Sequence, residues 1–173
     1  LGAKAINECM TEVITKLHND KDFFFMHSTG RYGKWVPEKL EENGVNLGFG
    51  SNVAVREYID DMDTCLSAAD IVISRAGASS LSEIEGVGRA SILIPSPNVA
   101  ENHQYHNAMT LVERNAARVI EEKDLTAEKM IAEIKDLSSD RNTLEQYGEN
   151  AKKLAVLNSA EMICDVIEEL AKN

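Results

Sequence analysis

Two stretches of this chain carry residue types that suit a ligand site. The first is Ser74-Arg75-Ala76-Gly77-Ala78-Ser79-Ser80-Leu81-Ser82-Glu83. It reads as a strand end, a small-residue turn and a helix start. Gly77 and Ala78 let a ligand approach the backbone closely. The amides at Ser79 and Ser80 open the helix, where unpaired N–H groups and the helix dipole favour an anion such as a diphosphate. Glu83 follows Ser80 by three residues, and two readings of it stand. It can close a capping box by reaching back to the Ser80 amide. It can instead lie in the first turn and accept two hydrogen bonds from a ribose diol, as acidic residues near nucleotides do.

The second stretch runs from Pro95-Ser96-Pro97-Asn98 to Asn102-His103-Gln104-Tyr105-His106-Asn107-Ala108. A proline-punctuated loop after a strand, entering a polar helix start, suits sugar hydroxyls. Gln104 and Asn107, three apart, share a helix face. His103 and His106 have the same spacing, but no third ligand accompanies them and no metal is expected. The plainer reading is a polar surface helix. Leu1-Gly2-Ala3 leads into a helix, and His27-Ser28-Thr29-Gly30 follows a strand and could face a cleft. His18 reads as a surface residue. Cys9, Cys65 and Cys164 match no metal or redox spacing and read as thiols of a reducing cytosol.

The elements that must position these residues follow from periodicity. Apolar residues at helical spacing predict a helix over Leu1 to Asn19. Phe23-Phe24-Phe25-Met26 reads as a buried parallel strand. Pro37 opens a short helix from Glu38 to Asn43, and Gly44 closes it. Val53 to Ile59 is a strand, and Asp60 and Asp61 are positioned to cap a helix reaching Leu66. Asp70 to Ser74 is a strand, Ser80 to Val87 a helix ended by Gly88, and Ser91 to Ile94 a strand stopped by Pro95 and Pro97. A loop to Asn102, then a helix to about Arg114, precede a strand from Ala117 to Ile120. Thr126 caps a helix to Leu137, and helices near Asp140–Val156 and Ser159–Ala171 finish the chain. Alternating helices and short apolar strands predict an α/β fold: an open parallel sheet with helices on both faces. Ligands bind such sheets at the carboxyl ends of their strands, which selects the loops after Ile59, Ser74 and Ile94.

The 173 residues suffice for one domain. The core must be aliphatic, since 43% of residues are hydrophobic and only 5% aromatic. The net charge is −11, and no Lys/Arg cluster follows any face. That argues against a nucleic-acid partner and against direct adhesion to an anionic membrane. No apolar run is long enough for a membrane span.

Together these residues resemble the carboxy-terminal domain of the MurG family, the family-28 glycosyltransferases that make the lipid-linked disaccharide of peptidoglycan. Leu1-Gly2-Ala3 is similar to the tail of the family's Gly-Gly-Ser-x-Gly-Ala loop. Tyr58-Ile59-Asp60-Asp61-Met62 resembles the segment whose backbone reads uracil. Ser74 to Glu83 resembles the donor-binding strand-turn-helix, and Ile94 to Ala108 the sugar-binding loop and helix. The resemblance implies a Rossmann-like half of a GT-B enzyme, with residues 1–173 forming one UDP-sugar donor domain. It implies UDP-N-acetylglucosamine as donor and an undecaprenyl-diphosphate-linked muramoyl-pentapeptide as acceptor, with inversion at the anomeric centre and neither metal nor cofactor. By position, Gly2 belongs to the Gly-rich loop, Ile59 offers backbone contacts to uracil, Glu83 binds the ribose and Ala78, Ser79 and Ser80 hold the diphosphate. Gln104 bonds the sugar, and His103 stands where some members carry a second Gln.

The same resemblance puts the amino-terminal acceptor domain, the first strand and most of the Gly-rich loop ahead of residue 1. Catalytic residues are then expected outside this chain, and the chain alone is expected not to catalyse transfer. The full-length protein would be cytoplasmic and peripheral on the cytoplasmic face of the membrane. Alternatives are the stand-alone donor subunit of a split N-acetylglucosaminyltransferase of the eukaryotic kind, a UDP-sugar epimerase-like domain, or a non-catalytic nucleotide-binding module. Without a partner domain the stripe Met162, Ile163, Val166, Ile167 and Leu170 needs another surface, such as a swapped or dimeric contact.

Overall fold

The computed structural model describes residues 2–172; the part of the predicted first helix and loop that falls on Leu1 lies outside them. Five short strands alternate with helices, as the periodicity requires. They are β1 (Phe25–Ser28), β2 (Val53–Arg56), β3 (Ile71–Ser74), β4 (Ala90–Leu93) and β5 (Ala117–Val119). The helices are α1 (Lys4–Leu17), α2 (Val36–Glu42), α3 (Met62–Ala68), α4 (Ala78–Val87), α5 (His103–Val112), α6 (Ala127–Ser138), α7 (Arg141–Lys152) and α8 (Ser159–Ala171). All strand pairings are parallel, in two pieces: β1 with β2, and β3-β4-β5 in that order. A single continuous sheet is therefore not formed among the described residues, because β1 and β3 are not hydrogen-bonded to each other.

β4 is the central strand and is buried throughout. Its side chains alternate between two helical layers, as a pleated strand demands. Ala90, Ile92 and the adjoining Ile94 join Ile6, Met10, Val13 and Leu17 of α1 and Met130, Ile134 and Leu137 of α6. Leu93 points the other way, into a cluster with Leu81 and Ile84 of α4, Ala108 and Leu111 of α5 and Ala151 of α7. A third cluster joins Ile14 to Val36, Leu40, Val45 and Val53. Phe25, Ile71 and Ile73 all pack against the first cluster, so this one core lies against both sheet pieces.

Several element bounds differ from the sequence reading, each for a local reason. β1 starts two residues later than Phe23, because its ladder begins with Phe25 opposite Val53. Asn52 uses its side chain to hold the carbonyls of Asp20 and Phe23 in a turn, and Phe24 faces solvent. His27 and Ser28 thus close β1 rather than follow it. α1 runs from Lys4 to Leu17, short of Asn19, because the chain turns there, with the Asp20 amide bonded to the Leu17 carbonyl. β2 ends at Arg56, three residues before Ile59, where Thr29 and Gly30 take the Arg56 and Glu57 carbonyls in a loop. Asp61 precedes α3 but does not cap it; its carboxylate pairs with Arg56 at 2.6 Å. α2 opens at Val36 with Pro37 in its first turn. Asn102, where the loop was read to end, does precede α5, in the left-handed region at φ 52°, a conformation Asn tolerates. Thr126 caps α6 as read, accepting from the amide at position 129, and Asp140 caps α7, accepting from those at 142 and 143.

Candidate functional site

α4 begins at Ala78, two residues before the sequence reading placed it, with Gly77 as N-cap. This shift changes the chemistry of its start. Gly77 has no side chain to accept from the first amides, so none of the helix's own polar groups caps it. The first helical bond is from Leu81 N–H to the Gly77 carbonyl at 3.0 Å. Ala78, Ser79 and Ser80 are therefore the first three helical residues, with their N–H groups directed along the axis away from the helix. A Cβ built at Gly77 would meet nothing within 4 Å, so the space before these amides is open. The capping box is not formed, because Ser80 lies inside the helix. Glu83, exposed, sits in the second turn rather than the first.

The β4–α5 loop is held at the same sheet edge, since β3 and β4 are parallel and in register from Ile71–Ala90 to Ser74–Leu93. Ile94 N–H continues the ladder to the Ser74 carbonyl at 2.9 Å. Gln104 Oε1 accepts from the Ser96 amide at 2.9 Å, and Asn107 Nδ2 donates to the Ala76 carbonyl at 3.2 Å. Asn107, expected to share a face with Gln104, thus ties α5 to the turn before α4. His103 is exposed, its Nδ1 2.9 Å from the Ala100 carbonyl.

Gly2 is fixed by close packing. Its φ is 86°, and a Cβ there would stand 2.4 Å from the Thr29 carbonyl oxygen, so only glycine fits. Ile59 buries its side chain at 7% exposure, while no backbone hydrogen bond takes up its N–H or C=O among the described residues. The residue is anchored by its side chain with its peptide groups free.

A cleft of about 830 Å³ opens between the start of α1 and the β3 and β4 loops, lined by Gly2, Lys4, Arg75, Ser96, Gln104 and Glu122, among others. Of the expected site residues it gathers Gly2 and Gln104. Ile59, Ala78, Ser79, Ser80, Glu83 and His103 lie outside its lining. Sequence reasoning missed Arg75 and Glu122 as a pair. Arg75 donates to the carbonyls of Ile94 at 3.1 Å and Pro95 at 3.2 Å and forms an ion pair with Glu122. The available signal was a lone arginine directly after an apolar strand in an acidic chain.

Burial moves two other groups. His27, 8% exposed, has its pKa pushed down to about 4 by desolvation. The Cys9 thiol is pushed up to about 11, first by burial and then by Glu12 and Glu128 nearby, which keeps it protonated and unreactive at neutral pH. Among the described residues no group of three or more His, Cys, Asp or Glu is placed to hold a metal ion, and no helix is long and apolar enough to cross a membrane.

The parallel α/β layers are those of a Rossmann-like half of a GT-B glycosyltransferase. A crystal structure of Acinetobacter baumannii MurG superposes with a TM-score of 0.83 at 27% identity, over 98% of this chain and 47% of that one. The chain belongs to the glycosyltransferase family 28 C-terminal domain family, whose model matches residues 1–163. It is 40% identical over 172 residues to the UDP-N-acetylglucosamine–N-acetylmuramyl-(pentapeptide) pyrophosphoryl-undecaprenol N-acetylglucosamine transferase of Desulforamulus reducens. It is 38% identical over 176 residues to the enzyme of the same name from Acetivibrio thermocellus. Each match covers 99% of this chain but 45% and 46% of the relative, so the chain spans just under half the length of these proteins.

Proposed function

We propose that residues 1–173 form the donor-binding domain of an inverting N-acetylglucosaminyltransferase. In the whole protein, N-acetylglucosamine would pass from UDP-N-acetylglucosamine to an undecaprenyl-diphosphate-linked muramoyl-pentapeptide in peptidoglycan synthesis. The observation that carries this reading is the uncapped start of α4, where the Ala78, Ser79 and Ser80 amides face open space beyond Gly77. Such a terminus stabilises a diphosphate in the ground state and the charge that grows on it as the bond to sugar breaks. No metal is needed for that step. The free peptide groups of Ile59 suit the edge of uracil. The exposed Glu83 carboxylate suits two ribose hydroxyls. Gln104, with His103 beside it, is assigned to the sugar, and Gly2 to the remnant of the Gly-rich loop.

The acceptor site and the group that deprotonates its hydroxyl are assigned to an amino-terminal domain. A strand ahead of residue 1 would pair with the open edges of β1 and β3. That domain, rather than this acidic one, would dock on the cytoplasmic face of the membrane. The chain alone then binds donor and transfers nothing; turnover of a lipid-linked acceptor by these 173 residues would contradict this assignment.

Calorimetric titration of two variants tests the donor site. Gly77 has φ −74° and ψ 146°, which any residue adopts, and room for a side chain. Gly77→Asp should fold and melt at or slightly above the parent, since Asp is an N-cap at least as good as Gly. Its carboxylate would occupy and repel the diphosphate position, weakening UDP-N-acetylglucosamine binding by about tenfold or more. Glu83→Ala should lose about tenfold through its two charged hydrogen bonds. Unchanged affinity in both would refute the assignment.

A further inference from the structure

The loop after β4 has a shape problem. Its backbone leaves the ladder after Ile94, and prolines at 95 and 97 supply no N–H. Beyond the ladder, the carbonyls of Ile94 and Pro95 find their donor in a side chain. Arg75 provides it from one Nη, while its other Nη pairs with Glu122, in the turn that follows β5. Both side chains are mostly buried, at 23% and 25% exposure. One guanidinium thus ties together the segments leaving β3, β4 and β5, by two hydrogen bonds from one nitrogen and an ion pair from the other, a reach that suits a planar fork.

Gln104 completes the arrangement. The Ser96 N–H can only donate, so the Gln104 oxygen accepts it and the amide NH2 is the end left for a ligand. Ser96, Asn98, Gln104, Arg75 and Glu122 line one cleft. The position of the Gln104 NH2 depends on the position of Ser96, and that of Ser96 on the carbonyls that Arg75 holds.

We propose that Arg75, locked by Glu122, is the positioning residue that sets the sugar-recognising loop and so lets the site distinguish a nucleoside diphosphate sugar from the bare nucleoside diphosphate. This rests on the donor-site reading above. Arg75 acts through Ser96 and Gln104. The nucleotide end, at α4 and Ile59, takes no hydrogen bond from the Arg75 side chain.

Arg75→Lys keeps a cation beside Glu122 but cannot span all three acceptors. Titration of the full chain with UDP-N-acetylglucosamine and with UDP should show the parent preferring the sugar nucleotide. The variant should bind UDP within twofold of the parent and UDP-N-acetylglucosamine about tenfold more weakly. Glu122→Gln, which keeps the fold's shape and removes the charge, should move the same ratio in the same direction. A general loss of structure would weaken both ligands together, and that result would overturn the proposal. So would a parent-like preference in both variants, leaving the donor site intact as an assignment. A parent chain that binds neither ligand would instead remove the donor-site reading on which the proposal rests.

Discussion

His27 carries an imidazole into β1, with Nε2 buried and unpartnered among the described residues. Its folded pKa, about 4, lies below the ordinary value of 6.5. Above pH 6.5 the ring is neutral in both folded and unfolded chains, and its contribution to stability is fully present. As pH falls from 6.5 towards 4, the unfolded chain takes up a proton that the folded chain refuses. Stability is lost across that window, on the order of 3 kcal/mol in total. Urea midpoints measured between pH 7 and 4 should fall more steeply for the parent than for His27→Leu; parallel curves would contradict the burial account. The residue scale is also where the sequence was least legible. A strand-end histidine looks the same whether it faces a cleft or the core. The Ser80–Glu83 spacing looks like a capping box until the helix is seen to start at Ala78. Arg75 and Glu122 stand 47 positions apart, and only the parallel order β3-β4-β5 brings them together.

Elements were easier to read where a side chain fixes their ends. Thr126 caps α6 from the expected position, and Gly88 ends α4 with φ 68°. The run Phe23 to Met26 misled because apolarity marks burial and not the hydrogen-bond register, which the partner strand sets. Packing between elements was invisible in sequence. Gly148 of α7 touches the Gly88 backbone at the end of α4: a Cβ there would stand 2.4 Å from the Gly88 carbonyl oxygen. Gly148→Ala should therefore push α7 off the sheet and cost about 1–3 kcal/mol. For a chain of this size the melting temperature should drop by about 2–4 °C per kcal/mol. An unchanged or higher melting temperature would show that the two helices separate freely. α8 forms as read, but its stripe from Met162 to Leu170 remains 52–70% exposed. Its amphipathic pattern specifies a helix, and none of its described side chains is buried.

At the scale of the whole molecule, the fold class was legible because alternating periods of helix and strand leave few topologies. The division of the sheet into two pieces was not, because it depends on a pairing that β1 and β3 do not make with each other. The candidate site is correspondingly spread along one sheet edge. One end is the open start of α4, the other a cleft where Gly2, Arg75 and Gln104 meet. The direct measurement is calorimetric titration of the chain with UDP-N-acetylglucosamine, UDP-glucose and UDP beside ADP and GDP compounds. Binding of the uridine ligands with little or none of the others is the expected result. Equal, weak binding of every nucleotide would contradict the account.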